Sequence, residues 1–264
     1  MEKVKDMRPL LPNVVTMMAL AFGVSSLNMA FWGHWSMAVF FIFLAAILDF
    51  MDGKVARLLG VASKFGAELD SLSDFVSFGV APAFVMYMWT MDQSMRIEVL
   101  QANAFRGDAI GIPWALVLFV AMCCAMRLAR FNTLLDDETV PPYWKKFFMG
   151  VPAPAGAGLV LLPLIYWLSF KGEVGFFRSV PFVAFFMLFA GIMMASRIPT
   201  LCLKHIHFSE DALVIVRIFL LLGIAALIGF PWLFLSFVGT VYLICIPLVI
   251  MSFLKEKARH SRTK

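Results

Sequence analysis

DFMDGKVARLLGVASKFGAELDSLSD, residues 49–74, is a polar stretch carrying four aspartates between two strongly apolar runs. Asp49 and Asp52 stand at i, i+3 and Asp70 and Asp74 at i, i+4, so each pair shares one face of a helix. A carboxylate at the edge of a bilayer is costly, and is usually paired or functional. If the two helices face each other, four acidic groups converge and need neutralising. A pair of divalent cations with oxygen ligands would do this. The competing reading is a structural network in which the aspartates pair with Lys54, Arg57 and Lys64.

The flanking runs set the fold class. The chain is 62% hydrophobic with a mean hydropathy of +0.88, against about 45–50% apolar residues in soluble domains. Apolar spans are expected at residues 10–32, 35–50, 69–90, 109–127, 151–170, 179–196, 212–229 and 231–254, each near the ~20 residues that cross a bilayer as helix. The expected fold is therefore all-α and integral to the membrane, a polytopic bundle of about eight transmembrane helices. Residues 1–264 read as a single membrane-embedded domain, with room for a short interfacial helix over residues 1–9. The first span is too long for the apolar core of a cleavable signal and is expected to stay as a helix. Cys123, Cys124, Cys202 and Cys245 form no CxxC pair and read as packing residues.

Charge sets the expected orientation. Of 22 Lys and Arg, all but Arg96, Arg106, Lys171 and Arg178 fall on one side of an eight-span chain. The positive-inside rule puts that side, with both termini and the aspartates, in the cytoplasm, and the protein in the cytoplasmic (inner) membrane. The formal charge of +5 suits anionic lipid headgroups and no nucleic acid, since no soluble basic domain exists. Phe31, Trp32 and Trp35 form an aromatic belt around His34 on the far side.

As a pattern, residues 49–74 read D-x2-D-G-x2-A-R-x8-G-x3-D-x3-D. This resembles, at every position, the signature of the CDP-alcohol phosphatidyltransferases. The resemblance implies that Asp49, Asp52 and Asp70 are metal ligands and that Asp74 is general base or a further ligand. Asp70 and Asp74 are then the catalytic pair. It also implies two divalent cations per site, Mg²⁺ or Mn²⁺, and places Gly53, Ala56, Arg57 and Gly66 on the CDP-binding side. The small residues agree with this, because Gly53, Ala56 and Gly66 let a sugar or phosphate approach the backbone.

Further stretches, PNVVT (12–16), DSLSDFVSFGVAPA (70–83), RLARFN (127–132), GVPAPAGAG (150–158) and SRIPTLCLK (196–204), look like the membrane-embedded phosphatidylserine synthase branch of that family. This implies CDP-diacylglycerol and L-serine as substrates, membrane lipid as surroundings and a homodimer. Arg127 and Arg130, three apart at the cytoplasmic end of the fourth span, can both face the notch and hold a carboxylate. Asn132 offers a carbonyl, and Lys204 could meet lipid phosphate. Each arginine also reads as an anchor that snorkels to headgroups. No HxK-x4-D sequence occurs, so direct transfer without a phosphatidyl-enzyme is expected. The alternatives are another acceptor (glycerol 3-phosphate, inositol phosphate or choline), an ion-coupled transporter, and an intramembrane aspartyl protease. Four clustered carboxylates favour metals over the last two.

Overall fold

A computed structural model describes residues 10–61, 63–91, 107–135, 147–201 and 210–262. The chain is a multi-pass membrane protein. Among the described residues eight long helices succeed one another: α1 (Leu10–Phe31), α2 (Trp35–Leu59), α3 (Lys64–Thr90), α4 (Gly107–Leu135), α5 (Ala153–Ser169), α6 (Val180–Ala195), α7 (Glu210–Gly229) and α8 (Pro231–Arg262). Five of them, α1 to α4 and α8, are long and apolar enough to cross a bilayer, and α5, α6 and the Val216–Gly229 part of α7 are shorter apolar helices. Each of the eight expected spans thus coincides with one helix.

The first two helices pack through a stripe of small residues. On α1 the buried positions are Pro12, Thr16, Ala19, Gly23, Ser26 and Ala30, alternating by four and three, and they are shared with α3, since a Cβ on Gly23 would overlap Ser77 Oγ. On α2 Ala38, Ile42, Ala45 and Asp52 are buried along a stripe of the same period. That 3.5-residue spacing keeps one seam facing the partner helix, and small side chains let the backbones approach closely where no hydrophobic effect drives association.

Helices α2 and α3 extend well beyond the apolar spans that hydropathy marks, α2 by more than two turns. A local stop and start explain their ends. Gly60, with φ of 64°, closes α2: its N–H reaches Arg57 O at 3.2 Å and the Val61 N–H reaches Ala56 O at 3.1 Å, a Schellman cap. Ser63 then caps α3, its Oγ accepting from the Gly66 N–H at 3.0 Å. The aspartates therefore stand on two long helices of one tight hairpin.

The core sits around α3 and α5. Ala81, Pro82, Ala83, Val85, Met86, Met88 and Trp89 are buried in α3, and the run Leu159–Ile165 is buried in α5. Helices apolar all round belong at the centre of a bundle. Gly156 allows α5 to press on α6, since a Cβ there would overlap Met194 Sδ. By contrast, α7 exposes Phe219, Leu220, Leu221, Leu222 and Ile228, as suits a helix whose surroundings are lipid.

The all-α expectation holds with one small addition. Strand β1 (Phe147–Met149) pairs antiparallel with β2 (Pro199–Leu201). Gly150 makes the turn into α5 beside this ribbon. Its φ is 73°, its N–H reaches Ile198 O at 2.8 Å, and a Cβ would lie 2.9 Å from the carbonyls of Met194 and Ser196. Only glycine meets both demands.

Candidate metal and acceptor site

The hairpin sets the register of the carboxylates. Asp49 lies ten residues before the end of α2 and Asp74 ten residues after the start of α3. At 1.5 Å per residue both stand about 15 Å from the turn, and Asp70 one turn nearer to it. One carboxylate oxygen each of Asp49, Asp70 and Asp74 lie within 4.8 Å of one another. Directly after Asp74 the helix widens into a π-turn over Phe75–Val80, which then runs into the deep core segment. Such insertions rotate the helix beyond them and are frequent at functional sites.

The donor set fits a hard divalent cation. Oxygens around one such ion at ~2.0–2.6 Å are at most about 5 Å apart, and the three carboxylates meet that spacing. Asp70 Oδ1 and Asp74 Oδ1 are buried with no hydrogen-bond partner, which is expensive unless something positive completes them. Arg57 and Lys54 of the motif do not. Arg57 donates from Nε to Gly53 O on its own helix at 2.9 Å, and Lys54 Nζ sits 4.0 Å above the Phe50 ring. This argues against the purely structural pairing.

Asp52 departs from the expected fourfold convergence. It belongs to the buried seam of α2 rather than to the three-oxygen group, and is only 4% exposed. Its Oδ2 accepts from the Thr16 hydroxyl at 2.6 Å. The reason is helical phase: three residues advance 300°, so Asp52 turns ~60° from Asp49, toward α1. Thr16 Oγ1 also lies 3.1 Å from Pro12 O, and Thr16 O accepts from the Ser73 hydroxyl at 3.3 Å. Gly53 is open, a Cβ there meeting nothing nearer than Arg57 Nη2 at 3.9 Å. Ala56 is half-buried. A Cβ on Gly66 would lie 3.2 Å from both Asn13 Oδ1 and Ser63 Oγ.

Helix α4 brings the cationic side. Arg127 is half-buried, and Asp74 and Asp49 lie within its electrostatic reach. Its Nε has no hydrogen-bond partner, and neither does the buried hydroxyl of Tyr242 on α8, a further group within its electrostatic reach. Arg130 points elsewhere, donating from Nη1 to Ala195 O at 2.7 Å, where it caps the end of α6. Asn132 donates from Nδ2 to Ser71 Oγ at 3.0 Å, which docks the end of α4 beside Asp70. Lys204 and residues 1–9 lie outside the described residues. Sequence reading passed over Thr16, Ser71 and Tyr242 as site residues. Thr16 had a visible signal, its place in the small-residue stripe of α1; Ser71 and Tyr242 had none.

The profile of the CDP-alcohol phosphatidyltransferases matches residues 9–203, which include the whole aspartate hairpin and α4. The chain belongs to the CDP-alcohol phosphatidyltransferase family. Among curated relatives of this phosphatidyltransferase, a CDP-diacylglycerol–serine O-phosphatidyltransferase of Mycobacterium leprae (strain TN) is 35% identical over 241 residues, covering 91% of this chain and 74% of the relative. A protein of the same name from Helicobacter pylori (strain 26695) is 33% identical over 211 residues, 80% of each chain. One from Saccharomyces cerevisiae (strain S288c) is 36% identical over 153 residues, 56% of this chain and 47% of the relative. Membership removes the transporter and protease readings.

Proposed function

We propose that the protein transfers the phosphatidyl group of CDP-diacylglycerol to L-serine, releasing CMP, at the α2–α3 hairpin. The observation that carries this is the meeting of Asp49, Asp70 and Asp74, two of them with unpartnered buried oxygens, within reach of a half-buried Arg127 whose Nε is also buried and unpartnered. The names of the relatives support serine as acceptor.

In this reading Asp49, Asp52 and Asp70 hold two divalent cations, Mg²⁺ or Mn²⁺, with Asp74 as base or further ligand. Bound there, the cations would neutralise the diphosphate and the departing CMP. Gly53, Ala56, Arg57 and Gly66 flank the nucleotide. Asp74 takes the proton of the serine hydroxyl, whose oxygen attacks the phosphorus that carries diacylglycerol. CMP leaves in the same displacement, with no phosphatidyl-enzyme. Arg127 receives the serine carboxylate, with Asn132 beside it. Arg130 reaches the acceptor only with the donors left free by Ala195, and Lys204 serves lipid phosphate.

The lipid enters sideways. An apolar cavity of about 220 Å³ between α5 and α8, lined by Gly158, Leu159, Leu162, Gly239 and Tyr242 among others, offers room for an acyl chain. Gly158 faces open space. The whole chain acts as one domain, as a homodimer in the cytoplasmic membrane.

The reaction is tested by incubating purified protein with CDP-diacylglycerol and a panel of labelled alcohols while tracking lipid product and CMP. Serine should be the preferred acceptor. Preference for glycerol 3-phosphate would remove the serine reading and leave the family chemistry. Orientation is tested separately: a reporter fused after Lys264 should read as cytoplasmic, and a periplasmic signal would overturn either the even span count or its direction.

A further inference from the structure

We propose that Thr16 of α1 is the positioning residue for Asp52, fixing one oxygen of that carboxylate so that the other stays available to the cation site. The inference rests on the reading of Asp52 as a cation ligand. Both residues are 4% exposed, and they face each other across the small-residue seam of α1 and α2. The 2.6 Å contact runs from the Thr16 hydroxyl to Asp52 Oδ2. The hydroxyl has one proton to give and two acceptors in reach, Asp52 Oδ2 and Pro12 O at 3.1 Å. The shorter, charge-assisted bond to the carboxylate takes it. Asp52 Oδ1 is not engaged by this bond, and Asp52 is close enough to act electrostatically on Asp70.

Thr16 also reaches the other half of the hairpin. Its carbonyl accepts from Ser73 Oγ at 3.3 Å, one residue before Asp74. One residue of α1 therefore ties the α2 carboxylate to the α3 segment that carries Asp70 and Asp74. An outer partner of this kind holds a ligand in one rotamer, so that a cation meets a prepared site rather than a mobile carboxylate.

The test compares Thr16→Val, which removes the hydroxyl at similar volume, with Thr16→Ser, which keeps it. Mn²⁺ is titrated into full-length detergent-purified protein without substrate, and bound ion is read from the loss of the free-ion EPR signal. Thr16→Val should weaken Mn²⁺ binding roughly tenfold, the low end of the usual loss for an outer-shell partner. Thr16→Ser should stay within about twofold. The Mn²⁺ concentration for half-maximal turnover should move by the same factor, with KM for CDP-diacylglycerol unchanged at saturating metal. Unaltered or tighter binding in Thr16→Val would overturn the proposal, tighter binding meaning that the hydroxyl competes with the cation for Asp52. Equal loss in Thr16→Val and Thr16→Ser would overturn it in favour of packing. Thr16→Ala serves as a second hydroxyl-free variant if Thr16→Val does not purify as a single species. Wild-type protein that binds no Mn²⁺ would overturn the cation reading itself, whereas wild-type binding with an indifferent Thr16→Val would overturn the Thr16 proposal alone.

Discussion

Asn substitution within the three-carboxylate group is expected to lower turnover by at least ~10³-fold, about 4 kcal/mol of transition-state stabilisation. Asn keeps the shape of Asp and loses its charge, so the hairpin should still form. The three positions should differ in a readable way. Asp49→Asn and Asp70→Asn should weaken metal binding, and part of the rate should return as Mg²⁺ or Mn²⁺ is raised. Asp74→Asn should stay inactive at saturating metal if Asp74 takes the proton of the acceptor hydroxyl. EDTA should abolish activity of the wild type and added metal restore it. Undiminished turnover in chelator would end the metal assignment. The physical basis is the density of negative charge: three carboxylate oxygens within 4.8 Å of one another, with the motif's Lys54 and Arg57 engaged on Phe50 and Gly53 O.

Loss of Arg127 should produce the second large effect, and it should fall on the acceptor. Serine is small and zwitterionic, so most of its recognition is polar. Losing a charge-assisted contact to its carboxylate costs ~1.5–3 kcal/mol, roughly tenfold to a hundredfold in efficiency. In Arg127→Ala this should appear as a higher KM for serine, with KM for CDP-diacylglycerol nearly unmoved. Arg127→Lys should recover part of the loss, because a planar fork becomes a point charge. Arg130→Ala provides the contrast. Its guanidinium caps α6 at Ala195 O, so the variant should lose thermal stability in detergent more than affinity for serine. Unchanged serine kinetics in Arg127→Ala would sink the pocket assignment.

Much of this was legible locally. Asp70 and Asp74 share a helix face because residues four apart always do, and Asp49 joins them because the chain turns back between Leu59 and Lys64. Gly60 and Ser63 announce that turn, one by tolerating positive φ and the other by offering an oxygen to an unpaired N–H. Neither residue needs tertiary contacts to do so. Length and hydropathy likewise mark helices where lipid denies the backbone any other partner.

The rest depended on neighbours that sequence distance hides. Asp49 and Asp52 look equivalent on the chain, yet ~60° of helical phase sends Asp52 to Thr16, 36 residues away. Arg127 and Arg130 have similar places on the chain and part in the same manner, one staying within electrostatic reach of Asp49 and Asp74, the other donating to the carbonyl where α6 happens to end. The π-turn after Asp74 has no mark in hydrophobic period, because a single wide turn in a helix buried on several sides leaves the composition unchanged. Short-range sterics, capping and the cost of placing charge in lipid were enough to specify the helices, the hairpin and the acidic groups it carries. Which oxygens converge, and which carboxylate α1 holds, came from the packed bundle, because packing sets the phase at which each side chain meets its partner.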